Sequence, residues 1–380
     1  MILLFWFFAL LVLYIYIGYP LLARQLARRR PKAVAVGEQL PAVTILTAAF
    51  NEARDIEQTI RNKFALDYPH ERLEMIVISD ESDDGTDQIV ERLAAESPFP
   101  LRLIRQSPRQ GKTAALNLAV PSATGEILVF ADANSLYAAD ALRQLVRNFA
   151  DPAVGYVTGQ MLYTNPDGSL IGDGCSGYMR FENQLRSWES AFGSIVGVDG
   201  GIDAMRRAIY RPMRADQLPD FVQPLQVVAQ GYRVVYEPQA VLQEHALADA
   251  GREYRMRVRV ALRALWAMWD MRELFNPLRH GLFAWQLLSH KLLRYLAFVP
   301  LLGVLLVNIS LLALPFYKLT MAAQILFYVA AYLGWRRGSA AASAILTVPY
   351  YFTLINWACA EATWLFVQGK KIALWKPREG

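Results

Sequence analysis

Cysteine is nearly missing from this 380-residue chain: Cys175 and Cys359 stand far apart and make no metal-ligand spacing. Neither a disulfide framework nor a cysteine metal site is therefore expected to organise it, which suits a cytosolic domain. A full Walker motif is missing too, because Gly111 and Lys112 sit in QGKT but Gln106 stands where that phosphate loop needs glycine. No internal repeat or low-complexity tract is present. Charge is thin, with 19% of residues charged against 54% hydrophobic, more apolar than a soluble enzyme usually is. It disappears altogether from four runs, Met1 to Ala23, Tyr295 to Tyr317, Leu319 to Trp335 and Gly338 to Ala360. Each is about long enough to cross ~30 Å of hydrocarbon at 1.5 Å per residue.

The charge that remains is placed at the edges of these runs. Arg24, Arg28, Arg29, Arg30 and Lys32 follow the first run, so positive flanks predict the next region on the cytoplasmic side, with His290, Lys291 and Arg294 marking re-entry there. The first run has no basic start and no small-residue cleavage site, which argues for an anchor rather than a removed signal. Arg336 and Arg337 against Lys370 and Lys371 give conflicting signals at the two ends of one run. Basic residues that track membrane edges are no nucleic-acid patch, so nucleic acid is excluded as a partner and membrane lipids are expected. The expected organisation is a transmembrane helix at 1–23, a basic connector at 24–40, a cytoplasmic domain at 41–250, interfacial amphipathic helices at 251–292, about three spans at 293–369 and a basic tail at 370–380. That is a multi-pass protein of the inner, cytoplasmic membrane.

Between Pro41 and Ala250, short β-branched runs alternate with helix-period segments, the pattern of an α/β fold with a mostly parallel sheet flanked by helices. Strands are expected at 43–48, 73–79, 101–104, 127–131, 154–158 and 232–236, and helices at 52–66, 86–95, 112–120 and 138–149. From Gly251 to Leu274, arginines oppose Val258, Leu262, Leu265, Trp266 and Trp269. Such a helix suits the membrane interface or packs on the soluble domain.

Ligands of an open parallel sheet bind beyond the carboxyl ends of its strands. There the first strand runs into Phe50, Asn51 and Glu52, the second ends at Asp80 in SDESDDGTD, and the fourth ends at Asp132 in FADAN. Gly111 and Lys112 open a helix. Asp132 and Asn134, two apart in an extended segment, share a face and offer oxygens to one hard cation, Mg²⁺ or Mn²⁺. Asp80 equally suits a turn or cap before Thr86.

AFNE at 49–52, the Asp80 turn through Gly85 and Thr86, GKTAALN at 111–117 and FADAN at 130–134 occur in the order found in the family-2 inverting glycosyltransferases. The chain resembles the membrane branch with cellulose, hyaluronan and poly-N-acetylglucosamine synthases, over roughly Pro41 to Arg294. The resemblance implies a GT-A fold, with Phe50, Glu52 and Asp80 at the nucleobase, Lys112 at the diphosphate, and Asp132 with Asn134 at metal and phosphate. VDGGIDAMRR at 198–207 is similar to the family's acceptor loop, which brings in Gly200 and Gly201. The stretch at 218–238 is similar to its catalytic-base helix, giving Asp220 as general base, with Asp199, Asp203 and Asp216 nearby and a helix cap as its bland alternative. Glu244 and Arg259 are expected on the acceptor side. Asn134 replaces a second aspartate, and the glutamine and tryptophan of the processive QxxRW motif are unfilled around Arg259. The implied reaction is transfer from a nucleotide diphosphate sugar, expected to be a UDP-sugar, to a lipid-linked or polysaccharide acceptor. Processive synthesis and a non-catalytic scaffold are the alternatives.

Overall fold

The computed structural model of the chain describes residues 1–164, 170–245, 249–337 and 343–372. Most of the expected basic tail, and the first residues of the fourth apolar run, lie outside the described residues. In chain order the elements begin with α1 (Ile2–Leu13) and α2 (Tyr19–Arg29), joined by a π turn. They continue with β1 (Val43–Ala49), α3 (Ile56–Phe64), β2 (Leu73–Ser79), α4 (Thr86–Glu96), β3 (Leu101–Arg105) and α5 (Lys112–Ala119). Then follow β4 (Ile127–Ala131), β5 (Leu136–Tyr137), α6 (Ala141–Val146), β6 (Val154–Thr164), α7 (Leu170–Phe192) and β7 (Ile202–Arg206). The rest are α8 (Pro219–Ala229), β8 (Arg233–His245), α9 (Ala250–Asp270), α10 (Pro277–His280), α11 (Leu282–Gln286), α12 (Leu293–Tyr295), α13 (Phe298–Ile309), α14 (Pro315–Arg337) and α15 (Ala344–Val367).

These residues form two compact units. One gathers Met1–Arg29, Tyr163–Leu185 and His245–Lys371; the other holds Arg30–Leu162 and Arg186–Glu244. The second unit carries the sheet, in the order β3-β2-β1-β4-β7-β6-β8-β5. β3, β2, β1 and β4 run parallel, and every residue of β1 and β2 is buried, as expected of strands covered on both faces. Beyond β4 the pairing turns antiparallel, β4 with β7, β7 with β6 and β5 with β8. The sheet is thus mixed, α/β as expected, with the six expected strands in place and β6 and β8 longer than expected. β5 and β7 had no apolar run of their own: IDAMR carries an aspartate and an arginine, and two residues make no pattern.

In the first unit, Ile2 to Arg29 and α14 are each long and apolar enough to cross a membrane, and α11 to α13 form a bent pair of that character with a 57° break. The expected run from Tyr295 to Tyr317 is therefore not one straight helix: α13 has 12 residues, about 18 Å. α15 has 24 residues but, with Asn356 and Glu361 within it, is not in that apolar class. α9 forms as expected and lays its apolar face against α15, where Trp266 meets Phe366 at 4.6 Å between centroids and Glu253 accepts the Tyr351 hydroxyl. The string Gly172 to Gly177 has the spacing of a dinucleotide fingerprint, but it lies inside α7 rather than in a strand-to-helix turn. Its Gly174 instead admits the Tyr351 ring, which a β-carbon would meet at 2.7 Å.

Candidate active site

The site belongs to the second unit and is built at the carboxyl ends of the parallel strands. The loop after β1 and the loop after β2 are sewn together by side-chain to backbone bonds. Asn51, in a left-handed conformation at φ 54°, accepts the Asp83 N–H at 3.0 Å and donates to the Asp83 carboxylate at 2.8 Å. The Glu52 N–H donates to the Thr86 hydroxyl at 2.9 Å and the Ala53 N–H to Asp84 at 2.9 Å. Asp84, not Asp80, turns the chain into α4, accepting the Thr86 N–H at 3.0 Å.

Asp80 is wholly buried and does a different job. It accepts from Gln106 Nε2 at 2.5 Å, the Gln110 N–H at 2.9 Å, the Gly111 N–H at 2.9 Å and Arg109 Nε at 3.3 Å. Four donors on one carboxylate shape the loop between β3 and α5. That loop lays the Arg109 guanidinium over the Phe50 ring, 3.4 Å from its centroid, and ends at Gly111, φ 89°, from which Lys112 opens α5.

Lys112 Nζ donates to Asp132 at 2.8 Å, to Asp220 at 3.2 Å and to the Gly200 carbonyl at 3.4 Å. Three segments distant in sequence thus meet on one ammonium. Burial would lower the Lys112 pKa, but Asp132 and Asp220 outweigh it and raise it above the ordinary value, so the lysine keeps its charge. Asp132 follows β4 within a turn closed by the Ser135 N–H on its carbonyl, so the extended geometry expected for Asp132 and Asn134 is replaced by a turn. Asn134 donates to Glu244 on β8 at 3.3 Å.

Asp220 sits in the first turn of α8, whose cap position is Leu218, so the cap reading is set aside. Gly200 has φ 86°, and a β-carbon there would stand 2.4 Å from Asp220 Cγ. Only glycine combines that φ with that approach. A β-carbon on Gly201 would meet Leu242, Ser135 and Asp132 within 3.4 Å. The other carboxylates near Asp220 are committed elsewhere: Asp199 is paired with buried Arg186, Asp216 with Arg214, and Asp203 is buried on β7.

The structure therefore joins Lys112, Asp132, Asp220 and Gly200 directly, ties Gly201, Asn134 and Glu244 to them, and links Phe50 and Asp80 through the Arg109 loop. Glu52 lies in the same loop as Phe50. Arg259 lies on α9, in the first unit. Sequence reasoning missed Arg109, two residues before the Gly-Lys pair and readable from that proximity. It also missed Lys63, fully buried on α3, whose ammonium donates to the Ser135 carbonyl at 2.7 Å and lies 3.8 Å from the Tyr137 ring centroid. Nothing in the local pattern marks that lysine.

Residues 44–212 match the family described as Glycosyl transferase family 2. The chain is 26% identical over 229 residues to the poly-beta-1,6-N-acetyl-D-glucosamine synthase of Staphylococcus aureus, covering 59% of this chain and 55% of that protein. It is 32% identical over 193 residues to the beta-monoglucosyldiacylglycerol synthase of Trichormus variabilis, covering 50% and 41%. The chain thus spans about half the length of the curated relatives it matches. Among solved structures, the mannosyltransferase of Pyrobaculum calidifontis in complex with GDP-Man and Mn²⁺ aligns over 95% of this chain and 99% of its own, with a TM-score of 0.72 at 26% identity. The fold is of the GT-A type.

Proposed function

Because this chain carries a glycosyl transferase family 2 domain over residues 44–212, we propose that it is an inverting glycosyltransferase moving a sugar from a nucleotide diphosphate sugar to a lipid-linked or polysaccharide acceptor at a membrane surface. The observation that carries this reading is the convergence of Asp132, Asp220 and Gly200 on Lys112.

In this reading Lys112 receives the diphosphate. A diphosphate competes with Asp220 for the ammonium, so donor binding frees a carboxylate oxygen as the acceptor hydroxyl needs a base. Asp220 then takes the hydroxyl proton as the oxygen attacks the anomeric carbon, the bond from that carbon to the diphosphate breaks, and one displacement inverts the configuration. Phe50 and Glu52, with the loop that Asp80 and Arg109 order, line the nucleobase side. The Pyrobaculum protein holds GDP-Man, so guanine stands beside uracil as a donor base for this chain.

The oxygen donors of Asp132 and Asn134 fit a hard cation such as Mg²⁺ or Mn²⁺. Among the described residues no three His, Cys, Asp or Glu side chains are placed to hold a metal ion, so phosphate oxygens and water would complete the coordination, as Mg²⁺ commonly requires. When bound, the cation would neutralise charge on the departing diphosphate.

Two long apolar helices and the arginines after the first support a membrane protein with its transferase domain, about 41–250, on the cytoplasmic face. Glu244 and Gly201 belong to the acceptor side in this reading. The test is turnover by the full-length purified protein against a panel of UDP- and GDP-sugars with Mn²⁺. Transfer that is abolished in Asp220→Asn supports the reading, turnover unchanged in that variant sinks the base assignment, and product length separates single addition from polymerisation.

A further inference from the structure

Lys112 holds Gly200 by its carbonyl, and a second side chain holds the same residue by its N–H. Asp203, wholly buried on β7, accepts the Gly200 N–H at 2.9 Å on Oδ2. Its Oδ1 accepts the Thr158 hydroxyl from β6, and the Tyr156 hydroxyl of the same strand bonds it as well. Its hydrogen-bond partners are thus two hydroxyls and an amide, not a cation. The titratable groups facing it are Tyr156 on β6, Tyr137 on β5, Asp199 in the preceding loop and Asp220 on α8.

Gly200 adopts φ 86° against the Asp220 side chain, one of many backbone states open to a glycine, so surrounding contacts must select it. We propose that Asp203 is a positioning residue for the transfer: it pins the Gly200 N–H, and through Gly200 it fixes where Lys112 stands between Asp132 and Asp220. Its activity readouts rest on the function proposed above; its exchange readout does not.

Burial pushes the Asp203 carboxyl up to about 7, Asp220 and Asp199 add to this, and hydrogen bonds from Thr158 and Tyr156 pull the other way. Ionisation strengthens the bond to Gly200, since charged acceptors bind N–H groups more tightly. Asp203→Asn keeps an oxygen for Gly200 and an NH₂ group for Thr158, so it copies the protonated carboxyl without its charge. Asp203→Ala removes the acceptor. Thr158→Val removes a hydroxyl that favours the ionised form.

The experiment uses the full-length purified protein. Without any donor present, amide hydrogen exchange across residues 198–201 is expected to quicken about tenfold in Asp203→Ala and to stay within about twofold of wild type in Asp203→Asn. Unchanged exchange in Asp203→Ala overturns the proposal, whatever donor the enzyme uses. In turnover with a nucleotide sugar, wild-type kcat is expected to rise roughly threefold to tenfold as pH passes through about 7. Asp203→Asn should stay at the lower plateau with donor KM within about twofold. Should Asp203→Ala fail to fold, Thr158→Val decides, because the rise must move to higher pH. Coincident pH profiles for wild type and Asp203→Asn, or no displacement in Thr158→Val, overturn the proposal. A wild type inactive toward every nucleotide sugar counts against the functional reading and leaves the exchange result to judge this one.

Discussion

The α-carbon of Gly200 lies so close to Asp220 that an added β-carbon would stand 2.4 Å from the carboxylate carbon. The turn and the helix bearing the proposed base are therefore built against each other, and neither can shift without the other.

Gly200→Ala is expected to displace Asp220 and to strain a φ of 86° at once. A non-glycine residue held there costs about 1–3 kcal/mol, and misplacing the base should cost about 100-fold in kcat. Steady-state kinetics beside a thermal melt would check this, and an unimpaired kcat would show that Asp220 needs no such packing.

Lys112→Ala releases Asp132 and Asp220 to repel each other and removes the proposed diphosphate contact. Nucleoside diphosphate binding should weaken at least about tenfold, and Lys112→Arg should recover only part, because a planar guanidinium does not replace a compact ammonium among three acceptors. Calorimetry with UDP and GDP reads both. Undiminished affinity in the alanine variant would remove Lys112 from the donor site.

Asp80 serves four donors from a fully buried position, so its replacement should be felt before any ligand arrives. Asp80→Asn puts an NH₂ group against N–H donors, and leaving one of them unsatisfied costs about 1–3 kcal/mol. The melting temperature of the free protein should fall, and donor KM should rise with the disordered loop. A variant as stable as wild type would mean that the loop from 106 to 111 is held by other contacts.

Asn134→Asp adds a charge beside Asp132 and opposite Glu244. Divalent cation activation should shift to concentrations about threefold to tenfold lower, while the metal-free protein loses stability from the new repulsion with Glu244. Mn²⁺ titrations of turnover and of melting separate the two effects; an unchanged activation curve argues against a cation at this turn.

Two buried groups give stability opposite slopes with pH. Asp203 is raised from 3.8 to about 7, so its contribution is fully present below about 4 and is lost as pH rises to about 7. Lys63 is lowered from 10.5 to about 7 by burial. There the unfolded chain holds the proton that the folded one has released, and stability rises between about pH 7 and 10. Melting curves of Asp203→Asn and Lys63→Met should each flatten one of these limbs and leave the other.

The parts of the site carried by local sequence were legible. Phe50, Asp80 and Asp132 each end or follow an apolar strand, and Lys112 follows a glycine at a helix start, so their common rim follows from the rule for parallel sheets. Arg109 was legible only through its nearness to Gly111 and Lys112, and the roles of Asp203, named only as an alternative to Asp220, and of Lys63 were not legible because Thr158 and Ser135, which bond them, lie elsewhere in the chain.

The sequence alone determined the alternation of strand and helix, the apolar runs and the order of motifs, since each depends on the periodicity and composition of neighbouring residues. Folding decided that Asp80 is spent on ordering a loop, that Asp132 turns rather than extends, and that Lys112 is shared by two carboxylates and a glycine carbonyl. Those outcomes depend on distances between segments up to 108 positions apart, which are set when the buried strands β1, β2 and β4 pack together and bring their loop ends onto one edge.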